Sequence, residues 1–550
     1  MVVANFIKLY ETSFKENWNL NALTDLNEST SYTYGALAKE IARLHILFEE
    51  MGVESGDKIA LIGTNHSSWA LVFMATITYG AVIVPILSDF HTDSMENIIQ
   101  HSDAKMSFID QGIWGKINKE RVTHPVFALP SLQMIQGETD ELENLKLRID
   151  ERFSIKYPNG FQVEEIDYPY ISNDSVVCIN YISGTSTFIR GVMLTGNNFA
   201  GNMESIQKLN LIFKGEKNVV FLPMAHAFSC TFDLLYGLTI GVHIHILSKI
   251  RNSQMLLDAF QKVKPNLIST VPLILEKIVI REKEQIISNP FLKFLIKIPL
   301  LNKIVYRKIR ESLISIFGGN HREMLVGGAS IDEDVEDFLC KIKFPFSVGY
   351  GMTECAPVIS VDKHKEFVPR SCGTVVKETM KARINSTDQE RISGEIEVKG
   401  THVMLGYYKN PEATAAAFTE DGWLKTGDLG TLDKNNRIYI KGLVKTMILG
   451  SNGQNIFQKE IEARLNKMDF VSESLIVKRN HGLVGLVYPD YHKVKENDLS
   501  LSDLEKMMKD NLRRLNKMLA RYERVGSIEI MKDEFEKTEY DSIKRELYAD

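Results

Sequence analysis

Residues 181–195 read YISGTSTFIRGVMLT, an apolar lead-in followed by small and hydroxyl residues, one arginine and a β-branched run. Hydroxyl groups and a mobile backbone can turn several donors toward an anion, and Arg190 adds a planar donor fork with a fixed charge. The stretch lacks the GxxxxGK[ST] spacing of the P-loop, and an ordinary surface turn is the alternative on composition alone. We predict a phosphate-binding loop, whose members are Ser183, Gly184, Thr185, Ser186, Thr187 and Arg190.

The composition is that of an ordinary globular protein, with 550 residues of which 44% are hydrophobic and 25% charged, enough for roughly two to four domains. The formal net charge of −6 gives no electrostatic reason to expect a nucleic-acid partner. The five cysteines are scattered and form no CxxC pair, which indicates a reducing compartment without a zinc site. Charges come too early for a secretory signal, so we expect the protein to begin near Met1 and to be cytoplasmic.

One segment calls for a membrane test, because His66 to Ser88 approaches bilayer length without an Asp, Glu, Lys or Arg. Thr76, Gly80 and Pro85 interrupt the apolar run. A buried helix that ends near Gly80, followed by a buried strand, accounts for the same residues. We expect this second arrangement, in a soluble α/β core.

Strand and helix patterns alternate along most of the chain. Short β-rich runs that end in Gly- or Pro-containing loops recur between helical patterns, which predicts largely parallel sheets flanked by helices. Ligand sites in such folds collect where the strands end. From about 373 to 441 the signals change to strands and turns, and beyond Lys445 to a small module of helices and strands. We predict an α/β protein with a large domain at 1–444, containing a β-rich subdomain, and a small α+β domain at 445–550.

Further motifs stand at definite places along the chain. They are FLPMAHAF at 221–228, VGGASI at 326–331, GYGMTE at 349–354, GEIEVKGTHVMLGYYKNPEATAAAF at 394–418, DGWLKTGDLG at 421–430, YIKGLVKTMILGSNGQNIFQKEIE at 439–462 and EKTEYDSIKREL at 536–547. With the phosphate loop, these motifs make the chain resemble the adenylate-forming superfamily of acyl-CoA synthetases, luciferases and peptide-synthetase adenylation domains. The long-chain fatty acyl-CoA ligase branch is the most similar, and the resemblance covers nearly the whole chain.

The resemblance implies a two-step reaction. A carboxylate is a poor acyl donor, so enzymes of this family let it attack the α-phosphate of ATP, release pyrophosphate, and then pass the acyl group to a thiol. Two anions meet in the first step, and the site must neutralise or spread their charge. The expected substrates are a fatty acid, ATP and CoA, with Mg²⁺ as the metal.

The same resemblance assigns roles to the nucleotide-binding residues. The phosphate loop and Arg190 would hold the β- and γ-phosphates, and Thr185 and Glu354 would bind the magnesium ion, which prefers hard oxygen ligands. The adenine and ribose would be held by Gly327, Gly328, Ala329, Tyr350, Gly351 and Asp428. Without the family context, Glu354 would be a solvated loop acid, Tyr350 a core residue and Asp428 a turn or helix-capping aspartate.

The remaining roles concern the reacting groups and the thiol. Thr353 would lie near the α-phosphate, and His226 would lie beside the acyl carboxylate unless it is simply structural. Lys445 matches the hinge about which the C-terminal domain of the family swings between the two steps. The segment LGSNGQNI would line the pantetheine tunnel through Gly450, Gly453 and Gln454, or it is a plain turn.

The chain departs from the family pattern at several positions. Thr187 stands where the phosphate loop usually has glycine, Arg190 replaces a lysine with a different donor geometry, and Leu443 replaces the arginine before the hinge. The C-terminal motif puts Ser542 at the position of the catalytic lysine, which bridges the carboxylate and the α-phosphate. Lys544 lies two residues on and would reach the same face if the segment is extended, whereas Lys537 is a poorer substitute.

The prediction of the substrate class depends on the segment between residues 286 and 317, which is longer and more apolar than a plain connector. Residues 291–310 carry six basic and no acidic side chains, a composition that fits either peripheral contact with the inner face of a membrane or a helical hairpin over the acyl tunnel. We predict a medium- to long-chain fatty acid–CoA ligase, and expect a homodimer. The alternatives are a ligase that loads a carrier protein, a degenerate homologue that only binds nucleotide and acyl ligands, and an enzyme impaired in adenylation alone.

Overall fold

The computed structural model describes residues 4–28, 30–137, 139–182, 189–248, 253–288, 295, 298, 301–443, 447–449, 455–479, 482–519, 523–537 and 543–548. The strands, in chain order, are β1 Asn21–Asp25, β2 Ser31–Thr33, β3 Lys58–Ile62, β4 Val82–Ile86, β5 Ala104–Asp110, β6 Val126–Leu129, β7 Met134–Gln136, β8 Val176–Ile182, β9 Arg190–Thr195, β10 Lys217–Val220, β11 His243–Ile246, β12 Leu267–Thr270, β13 Glu323–Val326, β14 Phe346–Val348, β15 Tyr350–Gly351, β16 Val358–Ser360, β17 Met380–Asn385, β18 Gly394–Gly400, β19 Gly406–Tyr407, β20 Leu424–Leu432, β21 Ile438–Leu443, β22 Met447–Leu449, β23 Asn455–Phe457, β24 Val471–Arg479, β25 Gly482–Pro489 and β26 Val525–Ile530.

The helices are α1 Phe6–Glu16, α2 Tyr34–Glu50, α3 Ser67–Tyr79, α4 Thr92–His101, α5 Gln111–Trp114, α6 Thr139–Lys156, α7 Gly196–Leu209, α8 Ala227–Ser229, α9 Tyr236–Ile240, α10 Ser253–Val263, α11 Pro272–Ser288, α12 Leu301–Ile316, α13 Glu333–Ile342, α14 Pro411–Ala417, α15 Gln458–Leu465, α16 Tyr491–Glu496 and α17 Leu501–Met518. A π-helix at Cys230–Leu235 joins α8 to α9.

Two large sheets organise the first part of the chain. Within the described residues, one sheet has seven strands in the order β14-β13-β12-β10-β11-β1-β2, and the other has eight in the order β19-β9-β8-β4-β3-β5-β6-β7. Parallel pairing runs from β14 to β1 in the first sheet and links β8, β4, β3, β5 and β6 in the second. The prediction of an α/β fold with mostly parallel sheets is confirmed.

The uncharged segment tested for a membrane span is a helix and a strand of this core. α3 ends at Gly80, which has φ of +95°, and every residue from Ser67 to Thr78 is buried. β4 is buried at all five positions. Both elements lack charges because all their faces are packed against protein. No helix in the described part of the chain is both long and apolar enough to span a bilayer.

The chain divides into two compact units, one comprising residues 1–382, 398–425 and 434–438, and the other residues 383–397, 426–433 and 439–550. Strands β17, β18, β20 and β21 form a four-stranded sheet, as the β-rich texture of 373–441 predicts. In the second unit, β24, β25 and β26 form a sheet that shares a core with α15 and α17 through residues such as Leu465, Leu483 and Leu515. The domain boundary near Lys445 stays a prediction, since Lys445 lies outside the described residues.

Candidate active site

Three of the predicted motifs follow strands that end at one edge of the seven-stranded sheet. β13 leads into Gly327, Gly328 and Ala329, its neighbour β14 leads into Tyr350, and β10 leads into the segment that carries His226. The register pairs Val326 with Val348, and the Gly349 N–H donates to the Val326 carbonyl at 2.9 Å. Because parallel strands end on the same side of a sheet, motifs separated by more than a hundred residues in sequence meet at this edge.

Two glycines allow these loops to approach one another. A Cβ on Gly351 would lie 2.0 Å from the Pro357 carbonyl oxygen, so the turn between β15 and β16 admits no larger residue without a backbone shift. A Cβ on Gly327 would lie 3.1 Å from the ring of Phe228, which follows His226 closely. The glycine-rich loop and the His226 segment are therefore in direct contact.

Buried amide side chains clamp the segment that presents His226. The Asn65 side chain donates to the Leu222 carbonyl and accepts from the Met224 N–H, both at 2.8 Å, and the Asn180 amide donates to the Ala225 carbonyl at 3.3 Å. His226 itself is exposed and begins α8. Sequence reasoning missed both asparagines. A usable signal existed for Asn180 alone, whose amide interrupts the apolar run VVCINYI.

The imidazole of His226 accepts a hydrogen bond from the Phe228 N–H at 3.3 Å through Nδ1, which makes it the N-cap of α8. Desolvation by the neighbouring loops lowers the pKa of His226, although the residue keeps an exposed face. The neutral ring thus has a structural role in α8, and Nε2 is the nitrogen that would serve a ligand. The predicted contact with an acyl carboxylate stays a prediction.

A buried carboxyl group lies in the π-helix that follows α8. The Ser229 hydroxyl donates to Asp233 Oδ2 at 2.9 Å, and the Asn218 amide donates to the Asp233 carbonyl at 2.8 Å. Burial raises the pKa of Asp233 to about 7, and the neighbouring Ser269 and Ser229 hydroxyls act in the opposite direction. Asp233 therefore retains its proton in the folded state at a pH where it is ionised in the unfolded chain.

We expect Asp233→Asn to flatten the pH dependence of stability. Between the ordinary carboxyl pKa near 4 and the folded value of about 7, the unfolded chain releases a proton that the folded chain keeps, so the free energy of unfolding falls as the pH rises. Between pH 5 and pH 8 the free energy of unfolding of the variant should rise by about 3 kcal/mol relative to that of the wild type. Thermal unfolding across this range measures it. Asp93→Asn, at an exposed position on α4, is the control, and an equal change in both variants contradicts the prediction.

The loop that carries Thr353 and Glu354 is held from both sides. Thr353 to Cys355 form a 3₁₀ turn, and Glu354 is only 6% exposed. The buried Asn202 side chain donates to the Cys355 carbonyl and accepts from the Val358 N–H, each at 3.0 Å. Tyr350 is 8% exposed, so most of its ring packs in the protein.

Arg190 and Glu354 both contact Tyr407, a residue to which the sequence analysis assigned no role. The Tyr407 hydroxyl donates to Glu354 Oε1 at 2.9 Å, and the Arg190 guanidinium lies 5.2 Å from the centre of the Tyr407 ring. The predicted phosphate cation and the predicted magnesium ligand are thus neighbours, although they are far apart in sequence. A positive group and a buried carboxylate that contact one tyrosine side chain suit a metal-bound polyphosphate.

Other predicted residues lie in the second unit or outside the described part of the chain. Asp428 is within β20, not in an isolated turn, and its N–H donates to Thr426 Oγ1 at 3.1 Å. Lys544 Nζ lies 3.7 Å from Glu536 Oε2. The preceding residue, Ile543, forms an isolated antiparallel β-bridge with Lys537. The residues outside the description are Ser183, Gly184, Thr185, Ser186, Thr187, Lys445, Gly450, Gly453, Gln454 and Ser542.

A family model described as AMP-binding enzyme matches residues 10–408, which include the phosphate loop, the three strand-end motifs and Tyr407. The chain belongs to the AMP-binding enzyme family. The match extends over most of the first unit, and it agrees with the resemblance that the motifs carry.

Known AMP-binding enzymes agree in fold and differ in substrate. The long-chain-fatty-acid–CoA ligase FadD15 of Mycobacterium bovis is 26% identical over 475 residues, which cover 82% of this chain and 75% of the relative. The ATP-bound structure of MatB from Rhodopseudomonas palustris has a TM-score of 0.73 at 19% identity and covers 99% of this chain and 98% of its own. The o-succinylbenzoate CoA synthetase (MenE) of Bacillus subtilis, with its acyl-adenylate intermediate, has a TM-score of 0.72 at 19% identity, covering 98% and 97%.

The residues of this AMP-binding enzyme fit a magnesium ion. In nucleotide sites Mg²⁺ is usually held by one or two carboxylates together with substrate phosphates and waters. Glu354 supplies a buried carboxylate whose orientation is set by the Tyr407 hydroxyl. One such group is sufficient on the protein side when a polyphosphate supplies further oxygen ligands.

Proposed function

We propose that the protein is a medium- to long-chain fatty acid–CoA ligase that uses ATP and Mg²⁺. In the first step a carboxylate oxygen attacks the α-phosphorus of ATP, and the bond to the bridging oxygen breaks to release pyrophosphate. In the second step the thiolate of CoA attacks the acyl carbonyl carbon, and AMP leaves. The observation that carries the proposal is the juxtaposition of Arg190 and Glu354 across Tyr407 beside the strand-end loops.

The residues have distinct parts in this scheme. Arg190 would balance phosphate charge, and Glu354 would hold the metal, which supplies Lewis-acid stabilisation of the phosphates when bound. Tyr350 offers a ring face for a base, and Asp428 offers a carboxylate that suits two ribose hydroxyls. His226, on the clamped loop, would meet the acyl carboxylate, and Thr353 the α-phosphate. The hinge at Lys445 and the thiol path at Gly450, Gly453 and Gln454 complete the proposal.

Support for a fatty substrate comes from the relatives and from the connection between β12 and β13. Several similar proteins are long-chain-fatty-acid–CoA ligases by name, at 24–26% identity. The described part of the connection contains α11 and α12, and α12 exposes Leu301 and Ile304 together with Lys303, Arg307 and Lys308. An apolar and basic helix face of this kind suits an anionic membrane surface, from which a fatty acid would be delivered. The homodimer stays a prediction.

A second candidate function is that of a nucleotide- and acyl-binding homologue with weak adenylation. Its motivation is Ser542 at the position of the family lysine, together with the ion pair that Lys544 makes with Glu536. A ligase that loads a carrier protein is the nearest alternative among enzymes. These candidates differ in which half-reaction they carry out, so one assay separates them.

The decisive experiment measures ATP-dependent pyrophosphate release by the wild type with a panel of acids, from hexanoate to oleate and including o-succinylbenzoate, with and without CoA. We expect pyrophosphate release that requires Mg²⁺ and is fastest with the longer acids. When CoA is present, we expect acyl-CoA as the product. Acyl-AMP without thioester formation favours carrier loading. ATP binding without pyrophosphate release favours the binding homologue, and a preference for o-succinylbenzoate contradicts the fatty substrate.

A further inference from the structure

Tyr407 lies in a five-residue segment that connects the two halves of the proposed phosphate site. The Met404 N–H donates to the Glu354 carbonyl at 2.8 Å, while the Leu405 and Tyr408 N–H groups donate to carbonyls of β9, at Met193 and Gly191, at 3.0 and 2.7 Å. β9 begins with Arg190. Residues 404–408 therefore bind the loop of Glu354 through one set of contacts and the strand of Arg190 through another.

The side chain of Tyr407 also contacts both Glu354 and Arg190. The Tyr407 hydroxyl donates to Glu354 Oε1 at 2.9 Å. The Cζ atom of Arg190 lies 5.2 Å from the centre of the Tyr407 ring. Tyr407 is only 6% exposed, and its N–H donates to Thr414 Oγ1 at 2.9 Å, so the surrounding protein contacts both the side chain and the backbone. Buried side chains with packed rotamers hold the groups of a reaction site in place.

The phenol acts as a hydrogen-bond donor throughout the neutral pH range. An ordinary phenol, with a pKa of about 10, keeps its proton at neutral pH. A neutral phenol can donate to a carboxylate without adding charge beside the metal ligands. The Arg190 guanidinium lies 5.2 Å from the centre of the ring and also interacts with the hydroxyl, so the same side chain holds the cation.

We infer that Tyr407 is a positioning residue, which sets the Glu354 carboxylate and the Arg190 guanidinium at a fixed separation for the magnesium-bound phosphates of ATP. The inference rests on the proposed function, because it takes Glu354 as the metal ligand and Arg190 as the phosphate cation. The hydroxyl interacts with both Glu354 and Arg190, and the Arg190 guanidinium also lies over the ring. Tyr407→Phe therefore removes the contacts of the hydroxyl, and Tyr407→Leu removes the ring as well.

Tyr408 provides a matched control. It follows Tyr407 directly, and its hydroxyl also donates to a carboxylate, Asp103 Oδ2, at 2.9 Å. Tyr407→Phe and Tyr408→Phe each remove one hydroxyl from a tyrosine–carboxylate pair and keep the ring. Only the first pair involves a group that the proposed function assigns to the metal.

The test is the affinity of the full chain for ATP, measured by calorimetry with excess Mg²⁺ and again with EDTA. Tyr407→Phe should weaken binding about tenfold with Mg²⁺ and leave the metal-free affinity within about twofold, because one hydrogen bond to a charged group is lost. Tyr407→Leu should also weaken metal-free binding by about threefold, since the ring under Arg190 is gone. Tyr408→Phe should resemble the wild type in both conditions.

A double-mutant cycle with Glu354→Gln measures the coupling between Tyr407 and Glu354. A purely structural role of Tyr407 would produce no such coupling. Once the carboxylate charge is removed, Tyr407→Phe should have less than about a third of its original effect on magnesium-dependent binding. Equal losses with and without Mg²⁺, equal effects of Tyr407→Phe and Tyr408→Phe, or full additivity in the cycle would overturn the inference.

Failure of the proposed function gives a different pattern. If the wild type binds ATP but releases no pyrophosphate with any acid, the ligase proposal fails while the binding measurements still decide the role of Tyr407. If the wild type does not bind ATP with or without Mg²⁺, the proposed function and the inference fall together. Unfolding temperatures of all variants show whether a loss of affinity comes from a loss of folded protein.

Discussion

Glu354→Gln is expected to lower the rate of pyrophosphate release at least about 10³-fold, because a metal ion that neutralises phosphate charge contributes several kcal/mol to such a transition state. Glutamine keeps the size of the side chain and an oxygen that can accept from the Tyr407 hydroxyl, so the loop should retain its conformation. What the variant loses is the negative charge that the proposed function assigns to Mg²⁺ binding. Initial rates at saturating ATP and fatty acid, over a range of Mg²⁺ concentrations, measure the effect.

Glu96→Gln is the matched control for this loss. Glu96 is also a buried carboxylate, 4% exposed against 6% for Glu354, but it accepts from Arg121 and from the Asn118 N–H on a different part of the first unit. Its removal tests whether losing any buried acid impairs the enzyme through stability alone. Release by Glu96→Gln should stay within about threefold of the wild type at a temperature where both are folded. Retention of more than a tenth of the activity by Glu354→Gln would exclude Glu354 as the principal metal ligand.

Lys544→Ala is expected to reduce pyrophosphate release by about 10²- to 10³-fold, the usual effect of losing one preorganised donor at a developing charge. The reason is that the resemblance aligns Ser542 with the family lysine, and Lys544 is the first cation that follows Ser542 in the sequence. Thioester formation from supplied acyl-AMP should be nearly unchanged, because the lysine acts on the α-phosphate in the first step. Measuring the two half-reactions separately distinguishes this loss from a general defect.

Lys537→Ala serves as the comparison for that substitution. Lys537 Nζ lies 2.6 Å from Glu473 Oε1, whereas Lys544 Nζ lies 3.7 Å from Glu536 Oε2. The ion pair of Lys544 is therefore the longer of the two. Lys537→Ala should keep release within about threefold. If Lys544→Ala has no effect and the wild-type rate is negligible, Ser542→Lys becomes the informative variant. Restored release in that variant would mean that the chain has kept the nucleotide site and lost the adenylation step.

Much of the fold was predictable because its local signals are strong. The uncharged run from residue 66 to 88 is α3 and β4, since a glycine with positive φ ends the helix and the strand is buried on both faces. The strand that precedes each Gly- or Pro-containing loop was predicted from its β-branched run, and the parallel arrangement followed from the alternation of strands and helices. The convergence of Gly327, Tyr350 and His226 then follows from the rule that ligand sites gather at strand ends.

Other features had no local signal. β19 has only two residues, Gly406 and Tyr407, and it is a strand because it pairs with β9 at Met193 and Val192. The clamp that Asn65 makes on the Leu222 and Met224 backbone joins residues more than 150 positions apart in sequence. The π-helix at Cys230–Leu235 likewise has no counterpart among the elements that the sequence predicted.

The sequence by itself determined the fold class, because the alternation of strands and helices depends on local periodicity. Its motifs carried the resemblance to the AMP-binding family, which the family model over residues 10–408 confirms. The tertiary structure alone decided which of the motif residues are neighbours. Arg190 and Glu354 are brought to one ring by a hydrogen-bonded segment whose partners lie on two distant parts of the chain. Such contacts arise from strand pairing and burial across the whole domain, and they are therefore absent from any single stretch of sequence.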